Sequence, residues 1–261
     1  IFTSSLPGDY KNLLARDDAF VTSPYSFSGN APSALSGRLS YFYNINGPSV
    51  TVDTACASGL TALYMARLAL LNGDCDAALV GTVTIFASSE FYQLAQKSQM
   101  LSQSNQCAAF DEQADGFVPA EGVVVLVLTS YKIACELHLP VYGLIESLKL
   151  NHNGLSNGLM APNNKQQRNL IARCYQLHHL EQLALIEAHG TGTKLGDPIE
   201  LRGLEEAFTE HHTKTECYLG ASKMIIGHTL VSSSLASLIK ILLAYEQQII
   251  PPNPLFKNAN P

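Results

Sequence analysis

Short apolar runs alternate along the chain with amphipathic stretches. Continuous or alternating apolar character predicts strands at 49–55, 76–85, 121–130, 141–149, 184–189 and 217–222. Apolar residues three and four apart predict helices at 58–72, 90–100, 165–180, 197–210 and 230–246. In the first of these, Leu60, Leu63, Tyr64, Leu68 and Leu71 repeat at helical spacing. Strands that alternate with helices belong to the α/β class. A polar segment, 102–116, divides the pattern, and Pro251-Pro252-Asn253-Pro254 reads as an extended exit segment. No stretch is of low complexity, and no internal repeat is visible.

The candidate chemistry sits where predicted strands hand over to helices. Cys56 lies in Val52-Asp53-Thr54-Ala55-Cys56-Ala57-Ser58-Gly59-Leu60, with a strand running in and a helix running out. A thiol at a first helical turn feels the positive end of the helix dipole, which stabilises the thiolate and lowers its pKa. Ala55, Ala57, Ser58 and Gly59 are small, so an acyl group can approach the sulfur and backbone N–H groups can face an oxyanion. A buried structural cysteine is the plainer account of a lone Cys. The second half of the chain changes the balance. The run Ala184–Ala188 ends at His189, followed by Gly190-Thr191-Gly192-Thr193-Lys194-Leu195-Gly196-Asp197-Pro198, where the next helix begins. Tyr218–Ser222 then delivers Lys223 and His228 in the same fashion. One thiol, two imidazoles and an ammonium, each at a strand end among small residues, form a constellation.

Composition narrows the function class. With 46% hydrophobic and 15% charged residues, 261 residues bury a sizeable core. A net charge of −6 without a basic stripe argues against nucleic acid as a partner. The apolar runs Val123–Leu128 and Leu238–Ala244 are too short or interrupted to span a bilayer, and no signal peptide leads the chain, so no membrane partner is expected. The six cysteines (56, 75, 107, 135, 174, 217) show no Cys-x-x-Cys, which suggests neither zinc nor a disulfide framework, and a reducing cytoplasm is the expected location. Asp111-Glu112-Gln113-Ala114-Asp115-Gly116 fails the spacing of an EF-hand. His178-His179 and His211-His212 read as solvated pairs at helix ends, and His152 as part of a polar turn. Walker, Gly-x-Gly-x-x-Gly and Gly-x-Ser-x-Gly patterns are missing.

Thr54-Ala55-Cys56-Ala57-Ser58, Glu187-Ala188-His189-Gly190-Thr191-Gly192-Thr193 and Lys223…Gly227-His228 together resemble the three signatures of the β-ketoacyl synthases, the condensing enzymes of fatty-acid and polyketide assembly. The run 187–200 is closer to modular polyketide synthases than to fatty-acid enzymes. Ser28–Phe42, Asp115–Pro119 and Lys194-Leu195 are similar to modules served by a free-standing (trans) acyltransferase. The resemblance implies an α/β, thiolase-like fold of two related halves in α-β-α-β-α layers, here truncated at both ends. Residues 1–109 would then be part of an N-terminal half carrying Cys56. Residues 110–261 would be a linker and most of a C-terminal half carrying His189, His228 and Lys223.

The resemblance also implies roles. Cys56 is the nucleophile that takes the acyl chain. His189 and His228 act as neutral donors in decarboxylation of a malonyl thioester, and Lys223 supports them. No metal, flavin or nicotinamide is implied. Substrates arrive on the phosphopantetheine arm of acyl carrier protein, and the partners are that carrier, neighbouring polyketide synthase domains and a second copy in a homodimer. Glu121 is expected to be a buried structural anchor. The chain departs from the family at Ile225, where Asn is usual, at Leu230, where Glu is usual, and at Val231-Ser232-Ser233-Ser234 and Gly81-Thr82-Val83. It begins inside the family pattern and stops before a Gly-Phe-Gly-Gly-Thr-Asn segment. A non-elongating acyl-transfer domain and a fatty-acid synthase are the alternatives, and a thiolase is disfavoured because Cys217 lacks a Gly-rich context.

Overall fold

Every second side chain of one long strand turns inward: Ala78, Val80, Thr82 and Thr84 are buried while their neighbours are not. That strand organises the first of two units in the computed structural model, which describes residues 1–6, 8–156, 158, 161–175, 183–210 and 217–260. In chain order the elements are β1 (Phe2–Ser5), α1 (Tyr10–Leu14), α2 (Asp18–Thr22), α3 (Ser26–Gly29), α4 (Ser33–Tyr43), β2 (Val50–Thr51), α5 (Ser58–Asn72), β3 (Ala77–Thr84) and α6 (Glu90–Lys97). There follow β4 (Gly122–Thr129), α7 (Tyr131–Glu136), α8 (Asn164–Tyr175), β5 (Leu185–Glu187), α9 (Gly196–Glu210), β6 (Tyr218–Gly220), α10 (Lys223–Ile226) and α11 (Ser233–Gln247). Single 3-10 turns occupy Ala55–Ala57 and Leu230–Ser232.

The first unit comprises Ile1–Ser98, Pro119–Tyr142 and Thr229–Ala236. Its sheet has the order β2-β1-β3-β4. β1 runs parallel to β2 and β3, and β4 closes antiparallel on β3 with Leu79 opposite Val127. Helix α5 packs on β1 and β3 through a buried stripe of Ala62, Leu63, Ala66 and Ala69, the three-and-four spacing that an amphipathic helix needs. It ends at Gly73, whose φ of 78° suits the left-handed cap.

The second unit comprises Gln99–Val118, Gly143–His228 and Ser237–Pro261. β5 and β6 pair in parallel, with Glu187 opposite Gly220. Ala109, Phe110, Ala188, Ala221 and Met224 form its buried apolar cluster. Asp111 is 1% exposed and accepts backbone N–H bonds from Gln113, Lys257 and Asn258, which ties the exit segment down. Its carboxylate is therefore spent on main-chain amides, and burial is outweighed by those bonds so that its pKa is lowered. Among the described residues, no group of three or more His, Cys, Asp or Glu is placed to hold a metal ion.

Several expectations need correction. Residues 141–149 form no strand. The apolar pattern is there, but a strand exists through its hydrogen-bonding neighbour, and none pairs with this segment among the described residues. β1 and α1–α4 were not visible in the apolar pattern: β1 is mostly Thr and Ser, and α1, α3 and α4 bury almost nothing. Residues 176–180 of the helix predicted at 165–180, with His178-His179 and His211-His212, lie outside the described residues. Among the described residues no helix is long and apolar enough to cross a membrane.

Candidate active site

Cys56 stands in the middle of the 3-10 turn Ala55–Ala57, directly ahead of α5. The turn is half-open to solvent at the cysteine and is clamped from below. Ser58, fully buried, donates its hydroxyl to the Ala55 carbonyl at 2.6 Å and accepts from the Thr54 amide at 2.9 Å. Asp53 accepts from the Ala55 amide at 3.0 Å. Ala55 holds a φ of 51°, a left-handed conformation that costs an L-residue about 1–2 kcal/mol. The clamp is what sustains it, and the bent backbone lifts the next side chain, Cys56, out of the strand line. Gly59 is required for a different reason. A Cβ there would stand 2.6 Å from Ser234 Oγ and 2.8 Å from Leu235 Cγ, because residues 231–235 lie directly on the start of α5. Ser234 Oγ also accepts from the Leu60 amide at 3.2 Å. The neighbouring serines are bonded as well: Ser232 donates to the Gly122 carbonyl across the unit, and Ser233 to the nearby Leu230 carbonyl. Leu230 itself holds a φ of 40°.

The second unit brings His189, His228 and Lys223 together. β5 delivers His189 one residue past its buried neighbour Ala188, and α10 starts at Lys223 and ends in Gly227, whose φ of 73° turns the chain into His228. The two imidazoles stand edge to face with centroids 5.6 Å apart. Phe117 packs edge-on against His228 at 5.0 Å, and the His228 amide donates to the Val118 carbonyl at 2.7 Å. Lys223, 3% exposed, donates from Nζ to the His189 carbonyl at 2.5 Å. Burial first, then the Lys223 ammonium, push both imidazoles well below the usual 6.5. His228 is 2% exposed, so the full effect falls on it. His189 keeps an exposed side, so water screens part of the effect there, and the downward direction is what matters. Both rings are neutral at pH 7.

The loop after His189 is held by two carboxylates from the first turns of α9. Glu200 accepts from the amides of His189 and Gly190, one on each oxygen, at 2.7 and 2.9 Å. Asp197, 1% exposed, accepts from Phe110 and Gly192. Burial raises the pKa of both carboxyls despite these amide bonds. Gly190 has a φ of 45°, and a Cβ there would stand 2.8 Å from the Ala221 Cβ, so no larger residue fits. Asp197 and Glu200 are acidic residues seven and ten positions after Gly190, and nothing in the sequence marks the amides they meet.

Three further residues are defined by their own surroundings. Cys107 is buried, and burial pushes its thiol up to about 12, so it is an inert neighbour. His152 accepts from the Gly154 amide through Nδ1 at 2.9 Å, the polar turn expected of it. Glu121 does anchor backbone, accepting from the Phe86 amide at 2.6 Å, but it is exposed rather than buried. It follows Ala120 at the start of β4, where the chain is still at the surface.

Residues 1–134 match the family model for the β-ketoacyl synthase N-terminal domain, and residues 142–257 that for the C-terminal domain. Among curated proteins, the polyketide synthase PksL of Bacillus subtilis (strain 168) is 39% identical over 236 residues, covering 89% of this chain and 5% of the relative. The compactin diketide synthase mlcB of Penicillium citrinum is 37% identical over 262 residues, covering 100% of this chain and 10% of the relative. Among solved structures, the ketosynthase from module 6 of the bacillaene synthase of Bacillus subtilis 168 superposes with a TM-score of 0.89 at 36% identity, over 98% of this chain and 44% of that one. The oxazolomycin ketosynthase domain of Streptomyces albus JA3453 gives a TM-score of 0.93 at 33% identity, over 100% of this chain and 45% of that one. The chain therefore spans a small fraction of the curated relatives and under half of each solved ketosynthase chain, and its fold is the thiolase-like α/β fold of those domains.

Proposed function

The chain belongs to the β-ketoacyl synthase family, and on that premise we propose that it is the catalytic part of a polyketide ketosynthase. Cys56 accepts an acyl chain from a carrier thioester, its thiolate displacing the carrier thiol. The malonyl-type extender then loses its carboxylate as carbon dioxide, and the electron pair passes into an enolate. His189 and His228 donate N–H bonds to the enolate oxygen, for which a neutral imidazole is the right species. Lys223 supports them through the His189 carbonyl and its charge. The enolate carbon attacks the acyl-Cys56 carbonyl, the Cys56 thiolate leaves, and a β-ketoacyl thioester two carbons longer remains on the carrier.

The observation that carries this reading is the edge-to-face His189–His228 pair, 5.6 Å apart, with the buried Lys223 beside it, surroundings that favour uncharged rings. The pair matches a demand for two hydrogen-bond donors that do not ionise at working pH. Decarboxylation and condensation need no metal or redox cofactor, and the extender and acyl chain come on the phosphopantetheine arm of acyl carrier protein. The resemblance of 28–42, 115–119 and 194–195 supports a module served by a free-standing acyltransferase. The halves 1–109 and 110–261, neighbouring polyketide synthase domains, a homodimer and a cytoplasmic setting belong to the same proposal. For the dimer, β2 is an edge strand of its sheet among the described residues, which supports pairing with a second copy.

Intact-protein mass after incubation with a short acyl thioester is the direct test of the first half-reaction. One acyl increment that vanishes in Cys56→Ala is the expected result. An increment that persists in the mutant, or none on the intact protein, would contradict the assignment of Cys56.

A further inference from the structure

Glu187 divides its carboxylate between two donors. Oε1 accepts from the Ser222 amide, and Oε2 accepts from Lys240 Nζ of α11 at 2.8 Å. The carboxylate side chain is 1% exposed and the lysine side chain 12%, so the ion pair lies inside the second unit. Gly220 makes room for it: a Cβ there would stand 2.6 Å from Glu187 Oε2 and 3.0 Å from Lys240 Nζ. Ser222 is tied to α11 a second time, its hydroxyl 2.7 Å from that of Ser237.

What the pair holds is next to the chemistry at both ends. Glu187 is the last residue of β5, two before His189. Ser222 immediately precedes Lys223, whose Nζ reaches back to the His189 carbonyl. Glu187, Ser222, Lys223 and His189 thus close a ring of charge-assisted and main-chain bonds, and Lys240 holds that ring from α11 through Glu187. Replacing a buried ion pair by hydrophobic residues of similar volume is often neutral for stability, so what this pair contributes is sought in the geometry it imposes. We propose that Lys240 and Glu187 are positioning residues that fix Lys223 and His189 for decarboxylation of the extender. The proposal rests on the reading of His189, His228 and Lys223 given above.

The test separates the two half-reactions on the intact protein. Acylation of Cys56 is read by mass, and carbon dioxide release from a malonyl carrier thioester is read separately. Lys240→Met should leave acylation unchanged and slow carbon dioxide release by about tenfold or more, the scale of a small misplacement of reacting groups. Lys240→Arg, which restores the cation, should recover most of the rate, and Lys132→Met at an exposed lysine should change neither reaction. Unchanged carbon dioxide release in Lys240→Met would overturn the proposal and leave the ketosynthase reading standing. If Lys240→Met does not fold, Glu187→Gln/Lys240→Met strands no buried charge and decides the matter. A folded double variant that acylates but decarboxylates slowly supports positioning, and one that decarboxylates at the parent rate refutes it. Absence of carbon dioxide release from the parent itself would instead sink the reading on which the proposal rests.

Discussion

The imidazoles of His189 and His228 face each other edge to plane at 5.6 Å, and Lys223 is bonded to the main chain of the first of them. Two charged rings at that separation beside an ammonium would repel. The neutral pair is the arrangement that the surroundings enforce, and it sets how the protein responds to acid.

Below pH 6.5 the unfolded chain takes up a proton at His228 that the folded chain refuses, because the folded pKa lies well below 6.5. The unfolded state then binds more protons, so stability rises with pH and falls as pH drops through 6.5. For His228 the loss approaches about 1.4 kcal/mol per pH unit. Unfolding free energies from denaturant titrations at pH 7.5 and 5.5 should differ by about 1.4 kcal/mol from this residue in the parent, and the difference should shrink in His228→Gln. An equal difference in both proteins would show that His228 is not a buried neutral base.

Ser58 should matter more than an exposed serine elsewhere in the chain. Ser58→Ala leaves the Ala55 carbonyl and the Thr54 amide without their shared hydroxyl, at a cost of about 1–3 kcal/mol. Acylation of Cys56 should slow with it, since the turn that presents the sulfur loses its clamp. Unaltered acylation kinetics together with an unaltered melting temperature would remove the clamp from the account.

Ile225 is 56% exposed, so the missing asparagine at this position costs the folded cluster nothing visible. Ile225→Asn should therefore leave malonyl decarboxylation close to the parent rate. A large gain in carbon dioxide release would mean that the parent is impaired, which would favour a non-elongating role.

Strand and helix content of the central chain was legible because it follows apolar periodicity: α5, β3, β4, α9 and α11 fall within a few residues of the expected bounds. The candidates were visible because Cys56, His189 and Lys223 sit where strands give way to turns and helices among small residues, with His228 just past the short α10. What periodicity could not show is fixed by distant partners. β1 is polar in sequence and becomes a central strand because β2 and β3 flank it. Residues 141–149 read as a strand and are none, since pairing decides. Glu200, Asp197 and the Glu187–Lys240 pair were silent for the same reason, because an acidic residue at a helix start carries no mark of the amides it meets 10 residues back, nor one at a strand end of a lysine on a distant helix.

The most direct measurement is the mass of the carrier-bound product after the acylated intact protein meets a malonyl carrier thioester. The account predicts a β-ketoacyl carrier two carbons longer than the starting acyl group, formed by the parent and lost in both Cys56→Ala and His228→Ala. Efficient acylation of Cys56 with no lengthened product at any pH between 6.5 and 8 would contradict it.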